Sequence, residues 1–498
     1  MEILSVDESR QNDAFTIKEE KIEGKDLVYR AAGALYEVLR SEYMPLYTKK
    51  ICVICGKGNN GADGLALSFL FKKANVPVKI FLVADEKNLS QEANYYYNLL
   101  IHIKAEIFIV NHHSLPEAAK AMEDSDVIVD ALLGTGLNRE VTGLYKAVIE
   151  IINMQQADKI SVDISSGLNG DNGQKMGCAV EADLTVVMQQ YKYGNILNDA
   201  DDYTKRKLVR DIQIHGPGKS NVTLLQRQDV LSVLHKQKKN VHKYQNGSIL
   251  VLGGSKGMEG AMALCAKAAL RSGAGLVTIG VKKEGYPRLA CLAPTESMVY
   301  ELEEGVSEVI LHKKSAMAIG MGMKKDREDK AILQRVLQQN LPVVLDAGAL
   351  SIVAENKEIL KEKSGILTPH TAELATLLGC ETQEVRNDPV AAVKKAAMVY
   401  KNVVVLKMNK TLIASPCGKV KIADKGNRGM ATAGSGDVLG GIIVACINKT
   451  DTLFDAACAG VYLHALAGEY AMQKNGATYM NASDIVSNLS EALKELGQ

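Results

Sequence analysis

The sequence predicts two α/β domains in tandem, the first built on a parallel, doubly wound sheet. Three observations carry this reading. Residues 51–70 and 248–272 each run strand, glycine-rich loop, helix, and they lie far apart in the chain. Short β-branched runs alternate with helical segments around the first of them, the pattern of a parallel sheet with sites at the strand C-terminal ends. Between the two patterns, His215-Gly-Pro-Gly-Lys-Ser220 breaks the periodicity, as paired glycines around a proline do at a boundary. The chain has 498 residues, room for about two to four domains of ordinary size. Its 47% hydrophobic and 23% charged residues suit folded cores and exclude global disorder.

In chain order, residues 7–39 read as two helices. A strand at 51–55 leads into Gly56-Lys-Gly-Asn-Asn-Gly-Ala-Asp-Gly64 and a helix with Ala62, Leu65, Ala66, Phe69 and Leu70 on its buried stripe and Ser68, Lys72 and Lys73 off it. Strands follow at 78–83, 107–110, 127–129, 160–162 and 184–187, with a last one near 208–214 and helices near 91–102 and 144–154. The break then gives domains at 1–215 and 220–498. Lys236, Lys238, Lys239 and Lys243 form a basic run of the kind that is usually a solvated surface. The second domain starts with a strand in Ser248-Ile-Leu-Val-Leu-Gly-Gly254 and a helix at 260–272, followed by strands at 276–279, 316–319, 343–345 and 403–406. Helices near 435–447, 453–472 and 482–496 close it. No period of about 20–50 residues marks a repeat array.

Lys and Arg total 59 against 58 Asp and Glu, a net charge of +1, so the electrostatic term that dominates nucleic-acid binding is absent and no nucleic-acid partner is expected. The longest apolar runs, such as 441–447, fall far short of the roughly 20 residues that cross a bilayer, and no membrane span is expected. The start, Met-Glu-Ile-Leu with Asp7, Glu8 and Asp13 close behind, fits neither a signal nor a transit peptide. Nine cysteines, an odd number, do not make a disulfide framework and suit a reducing, cytoplasmic compartment. Cys52 and Cys55 form a C-x-x-C, but on a strand positions three apart face opposite ways, so both read as buried structural cysteines.

The chemistry gathers at strand ends. Gly56 to Gly64 opens a helix whose N–H groups can face an anionic ligand, although a tight turn alone would account for Gly-x-Gly. Val129-Asp-Ala-Leu-Leu-Gly-Thr-Gly136 and Ile160-Ser-Val-Asp-Ile-Ser-Ser-Gly167 each place an aspartate at a strand C-terminus before small residues, which a structural turn does not need. Asn60, Asp130 and Ser166 offer a hard oxygen set that suits neither zinc nor another transition metal. These three motifs, with Ala182-Asp-Leu-Thr185 and Lys192, resemble the NAD(P)H-hydrate epimerase family over most of residues 1–215. The resemblance implies a Rossmann-like domain that interconverts R and S hydrates of NADH and NADPH, and a potassium ion held by Asn60, Asp130 and Ser166. It also implies substrate loops at Asn59, Asn60, Gly61, Ala62 and Asp63 and at Gly134, Thr135, Gly136, Leu137, Asn138, Arg139 and Glu140, with Asp163 as active-site aspartate. Lys192 is the candidate counterpart in proton transfer, against the simpler reading of a surface lysine. Ala62 stands where the family usually has Gly, and Ser165 where it has Pro.

The second constellation is Gly426-Asn-Arg-Gly-Met-Ala-Thr-Ala-Gly-Ser-Gly-Asp-Val-Leu-Gly440. Small residues at a helix N-terminus leave N–H groups bare to stabilise a phosphoryl group in transit, and Asp437 can take the proton of an attacking hydroxyl. The run resembles the anion hole of the ribokinase-like superfamily. With His242-Lys-Tyr-Gln-Asn-Gly-Ser248, Ala269-Leu-Arg-Ser-Gly-Ala-Gly275 and Leu367-Thr-Pro-His-Thr-Ala-Glu-Leu374, it is similar to the ADP-dependent NAD(P)H-hydrate dehydratases over roughly 220–498. That resemblance implies a hydrate site at Ala261, Gly322, His370 and Asp437. It implies an adenine-nucleotide site for ADP or ATP with Mg2+ at Lys407, Met408, Asn409, Lys410, Thr411 and Gly436. His370 can also be read as a satisfied loop histidine. Gly348 replaces a usual Asp, Met408 a usual Gly, and Gly320-Met-Gly-Met323 lacks the usual Pro and Leu. The expected partners are NADHX, NADPHX and another copy of the chain as a homo-oligomer. The competing readings are a vitamin-precursor kinase, for hydroxymethylpyrimidine or hydroxyethylthiazole, and a non-catalytic nucleotide-binding first domain.

Overall fold

The structure, a computed structural model, describes residues 1–218, 220–235, 240–302 and 306–497. Lys236, Lys238 and Lys239 of the basic run fall outside them. The chain forms two compact units, Met1–Ser220 and Asn221–Gln498. Gly216 and Ser220 belong to the first unit: Gly216 packs on Asn12, and Ser220 Oγ donates to the Ile3 carbonyl at 3.0 Å.

The first unit is a seven-stranded, all-parallel sheet in the order Ile107–Ile109, Val78–Leu82, Ile51–Cys55, Val127–Ala131, Asp158–Val162, Ala182–Met188, Thr204–Arg210. Chain growth reverses beside Ile51–Cys55, so the crevice for a ligand lies past the C-termini of this strand and Val127–Ala131. The last strand is Thr204–Arg210 rather than 208–214. It is an edge strand whose exposed Lys205 and Arg206 blur the apolar pattern, while Ile212 and Ile214 donate their N–H groups to Gln189 Oε1 instead of a ladder. Cys52 and Cys55 enter opposite cores. The helix Asn59–Lys73 buries more than one stripe: Leu67, Ser68 and Phe71 are fully covered, and Ser68 Oγ is satisfied by the Gly64 carbonyl at 2.8 Å. Helices Val6–Glu20 and Gly24–Glu42 precede the sheet.

The second unit is a ten-stranded sheet running Val222–Leu224, Val420–Ala423, Thr411–Ala414, Val403–Leu406, Gly365–Leu367, Val343–Leu345, Ala316–Ile319, Ser248–Gly253, Leu276–Lys282, Ser297–Leu302. Among the described residues of this sheet, only the pairings of Thr411–Ala414 are antiparallel. Helices Glu259–Arg271 and Ser435–Cys446 approach closely because Gly441 has no side chain: a Cβ there would collide with the Cys265 carbonyl. The closing helix expected at 482–496 is broken into Ala482–Ser487 and Leu489–Glu495, with Asn488 between them bonding back to Asp484.

Candidate active sites

At the switch point of the first unit the crevice opens into a cavity of about 570 Å³. The first turn of helix Asn59–Lys73 lends Asn59, Asn60 and Asp63 to its wall, and the loop after Val127–Ala131 lends Gly134, Thr135, Gly136, Leu137, Asn138 and Arg139. Asp163 comes from the end of Asp158–Val162, and Lys192 from the short strand Tyr191–Lys192. Gly61, Ala62 and Glu140 do not line it. Gly61 and Ala62 are buried beneath the loop, where a Cβ on Gly61 would collide with the Gly56 carbonyl, and Glu140 is exposed.

Asp163 and Lys192 are a pair. Lys192 Nζ donates to Asp163 Oδ1 at 2.6 Å and to the Met188 carbonyl at 3.0 Å, and its side chain is 5% exposed, so it is not the surface lysine of the simpler reading. Met188 N–H donates to the same carboxylate oxygen at 3.0 Å, and Asn195 Nδ2 holds the Asp163 carbonyl. Asp163 sits at φ 63°, the left-handed region that Asp enters more readily than most residues. A carboxylate and an ammonium, both largely withdrawn from water and locked by backbone, form a unit that can take and return a proton.

Asp130 and Ser166 lie behind the cavity wall, fully buried. Asp130 Oδ1 accepts from Leu132 N–H and Ser166 Oγ, and Oδ2 from Ser161 Oγ and Ser166 N–H. Burial pushes its carboxyl up and these donors pull it back. Ser166 Oγ at 3.0 Å and Asn60 Nδ2 at 2.9 Å both reach the Leu133 carbonyl. The oxygens of Asp130, Ser166 and Leu133, with the Asn60 amide, are a donor set for a hard monovalent cation.

In the second unit, Gly434 at φ 87° turns the chain into helix Ser435–Cys446, and any Cβ there would lie 2.5 Å from Leu264 Cδ1 of helix Glu259–Arg271. Across from this N-terminus, Lys407 Nζ donates to Asp346 Oδ1 at 2.6 Å, an oxygen also held by Ala347 N–H at 2.9 Å. A Cβ on Gly436 would lie 3.4 Å from Lys407 Nζ and 3.7 Å from Asp346 Oδ2, so the glycine backbone faces the ion pair. Burial, then Asp346, push the Asp437 carboxyl up to about 6, with Lys407 opposing. His464 shares a hydrogen bond of 3.3 Å with Ser435 Oγ, and burial brings its imidazole down to about 4, so it is neutral.

The other predicted residues lie on four further segments of the second unit. His370 is exposed and caps helix Thr371–Leu378, its Nδ1 accepting from Ala372 and Glu373 N–H groups, while Lys407 N–H donates to the Pro369 carbonyl beside it. Met408, Asn409 and Lys410 form the turn between Val403–Leu406 and Thr411–Ala414, with Thr411 opening the second of these strands. Gly322 is at φ 71° against Met258, and Ala261 is half-buried on helix Glu259–Arg271.

Comparison with known proteins adds to this geometry. The family described as NAD(P)H-hydrate dehydratase matches residues 249–491, and the one described as YjeF-related protein N-terminus matches 24–194. The bifunctional NAD(P)H-hydrate repair enzyme Nnr of Moorella thermoacetica is 33% identical over 100% of this chain and 97% of its own length. The chain belongs to the bifunctional NAD(P)H-hydrate repair enzyme family. The ADP/ATP-dependent NAD(P)H-hydrate dehydratase of Bacillus subtilis, crystallised with ATP and Mg2+, superposes with a TM-score of 0.50 at 28% identity, covering 55% of this chain and 99% of its own. A ribokinase-like superfamily protein from Enterococcus faecalis V583, at 23% identity and TM-score 0.50, covers 57% of this chain and 99% of its own and shares the fold. The second unit is thus ribokinase-like.

Within this family frame two carboxylates escaped the sequence reading. Asp346 follows strand Val343–Leu345 as Asp163 follows Asp158–Val162, so the same signal would have found it. Asp13 lines the first cavity from helix Val6–Glu20, ahead of the matched range 24–194. On a helix that is polar almost all round it reads as one more solvated charge.

Proposed function

We propose that the first unit epimerises NADHX and NADPHX and that the second dehydrates the S form with ADP or ATP as phosphoryl donor. The observation that carries the reading is one chain holding both a buried Asp163–Lys192 pair in a cavity and Asp437 beside the Asp346–Lys407 pair at a glycine-rich helix N-terminus. In the second unit Asp437 takes the proton of the hydrate hydroxyl, whose oxygen attacks the terminal phosphoryl group. The N–H groups of Gly434 and Gly436 and the Lys407 ammonium stabilise the charge in transit, the Ser435 N–H being held by the Thr432 carbonyl. Phosphate then leaves the carbon next to the ring nitrogen, and loss of a proton from the adjacent carbon restores the dihydronicotinamide. Mg2+, as in the Bacillus subtilis relative, would supply charge neutralisation on the nucleotide phosphates. Potassium at Asn60, Asp130, Ser166 and the Leu133 carbonyl would fix the loops that carry Asn60 and Gly134.

A cytoplasmic location is supported by nine free cysteines, and among the described residues no helix is long and apolar enough to cross a membrane. A vitamin-precursor kinase leaves the first unit unexplained. The test mixes full-length protein, ADP and both hydrate epimers and follows nicotinamide absorbance and phosphate. Full recovery of both epimers is expected, with Asp163→Asn slowing only the R form and Asp437→Asn stopping both. A stable phosphorylated product without phosphate release would overturn the dehydratase reading.

A further inference from the structure

The segment ahead of the family match builds one wall of the first cavity. Strand Ile3–Leu4 pairs in parallel with Tyr191–Lys192, placing Leu4 opposite Lys192 itself. Helix Val6–Glu20 is then fixed at both ends. Ser5 and Glu8 cap each other, Val6 N–H donates to Asp171 Oδ1 at 2.7 Å, and Thr16 Oγ1 donates to the His215 carbonyl at 3.0 Å. Ser9, Asp13 and Ile17, four residues apart and so on one helix face, line the cavity together with Asp163 and Lys192.

We propose that Asp13 is a second proton-transfer residue of the epimerisation, serving from the helical wall while Asp163 serves from the strand end. The inference rests on the epimerase reading. Its warrant is charge balance in a shared cavity: Asp13, Asp63 and Asp163 face it with Lys192, and the lysine is committed to Asp163 at 2.6 Å. A carboxyl left beside an ionised pair in a partly closed site favours its neutral form. Burial holds Asp13 at about 6, Lys192 opposing and Asp163 adding to the rise, and Asp63 is pushed well above the usual carboxylate range by burial and by both other carboxylates. The remaining charges on the walls are Arg10 on the same helix, Glu92 at the start of helix Gln91–His102, and Arg139 on the loop.

Water added to an enamine double bond leaves its hydroxyl on the carbon bonded to nitrogen. The Asp163 carboxylate takes that hydroxyl proton, a carbonyl forms, the carbon–nitrogen bond breaks, and the electron pair goes to nitrogen, which receives the Asp13 proton. After the aldehyde turns its other face, nitrogen attacks it. The N–H proton returns to Asp13 and the Asp163 proton to oxygen, giving the opposite epimer with no net change in either residue.

The experiment uses full-length protein and purified R hydrate. Asp13→Asn is expected to lower epimerisation kcat/KM by about 10²-fold or more and to abolish the fall in rate as pH rises through about 6. Dehydration of pure S hydrate should stay at the parental rate, with the melting temperature at or above the parent's, and Asp13→Glu should restore a pH limb at a moved position. An Asp13→Asn protein with the parent's rate and pH limb, or an Asp13→Glu protein whose limb does not move, would overturn the proposal while leaving the epimerase reading intact. A parent that fails to epimerise overturns both.

Discussion

Gly348 and Met323 occupy one another's space. A Cβ on Gly348 would lie 2.6 Å from Met323 Cβ and 2.5 Å from its carbonyl oxygen, and Met323 is itself buried at 8% exposure. Gly348 is therefore required by the path of the backbone at residue 323, whose Cβ and carbonyl leave no room for a side chain. Gly348→Asp is expected to destabilise the second unit by about 1–3 kcal/mol, the usual cost of overpacking. Met323→Gly, which removes the clashing Cβ, should relieve part of this, and a double-mutant cycle on melting temperatures should show coupling. Only part returns, because the carbonyl contact persists. A Gly348→Asp protein as stable as the parent would contradict this packing.

Asp130 receives four hydrogen bonds in a buried site. Asp130→Ala would strand those donors at a cost of about 1–3 kcal/mol for each one left unsatisfied, so the informative change is Asp130→Asn. It keeps one acceptor oxygen and removes the negative charge. Epimerisation is expected to rise with KCl, at constant ionic strength, in the parent and to respond weakly in Asp130→Asn. A parental rate that ignores potassium would count against the cation site.

Much of this was legible because buried parallel strands are short apolar runs, and an aspartate directly after one of them has few structural reasons to be there. Ala316–Ile319, Val343–Leu345 and Val403–Leu406 lie where the sequence places them, as does the cluster of Asp163 and Lys192. What escaped depends on pairing across the fold. Thr204–Arg210 is a strand because Met188 and Arg210 align, not because of its own pattern. Strand Val222–Leu224 exists through its pairing with Val420–Ala423. Asp13 joins the first cavity because Leu4 registers with Lys192, a relation between residues far apart in the chain that no local periodicity encodes.

The two units should separate at Ser220–Asn221. A fragment 1–220 keeps the Ser220 bond to Ile3 and the packing of Gly216 on Asn12, both lost from 1–215. The longer fragment is expected to melt higher, and 221–498 to dehydrate S hydrate by itself. If that activity returns only on adding the first fragment, the units are not independent.

Asp437 ties pH, activity and stability together. As the proposed base it acts ionised, so dehydratase kcat/KM should climb as pH rises through about 6, the value to which burial and Asp346 push its carboxyl. Lys407→Met removes the opposing charge and should move the climb to higher pH, whereas Asp437→Asn should flatten it and lower turnover by about 10²–10⁴-fold. The linkage has the opposite sign. A carboxyl whose folded pKa lies above its unfolded value near 3.8 gives its full stabilisation below that value and loses it as pH rises through about 6. Asp437→Asn carries no such loss. Its melting temperature is expected to exceed the parent's at pH above about 7, with the gap closing toward pH 4, so that the residue most costly to turnover is stabilising to remove. Scanning calorimetry of both proteins across that range decides it, and a gap that does not depend on pH would remove Asp437 as the buried, strained base of the second site.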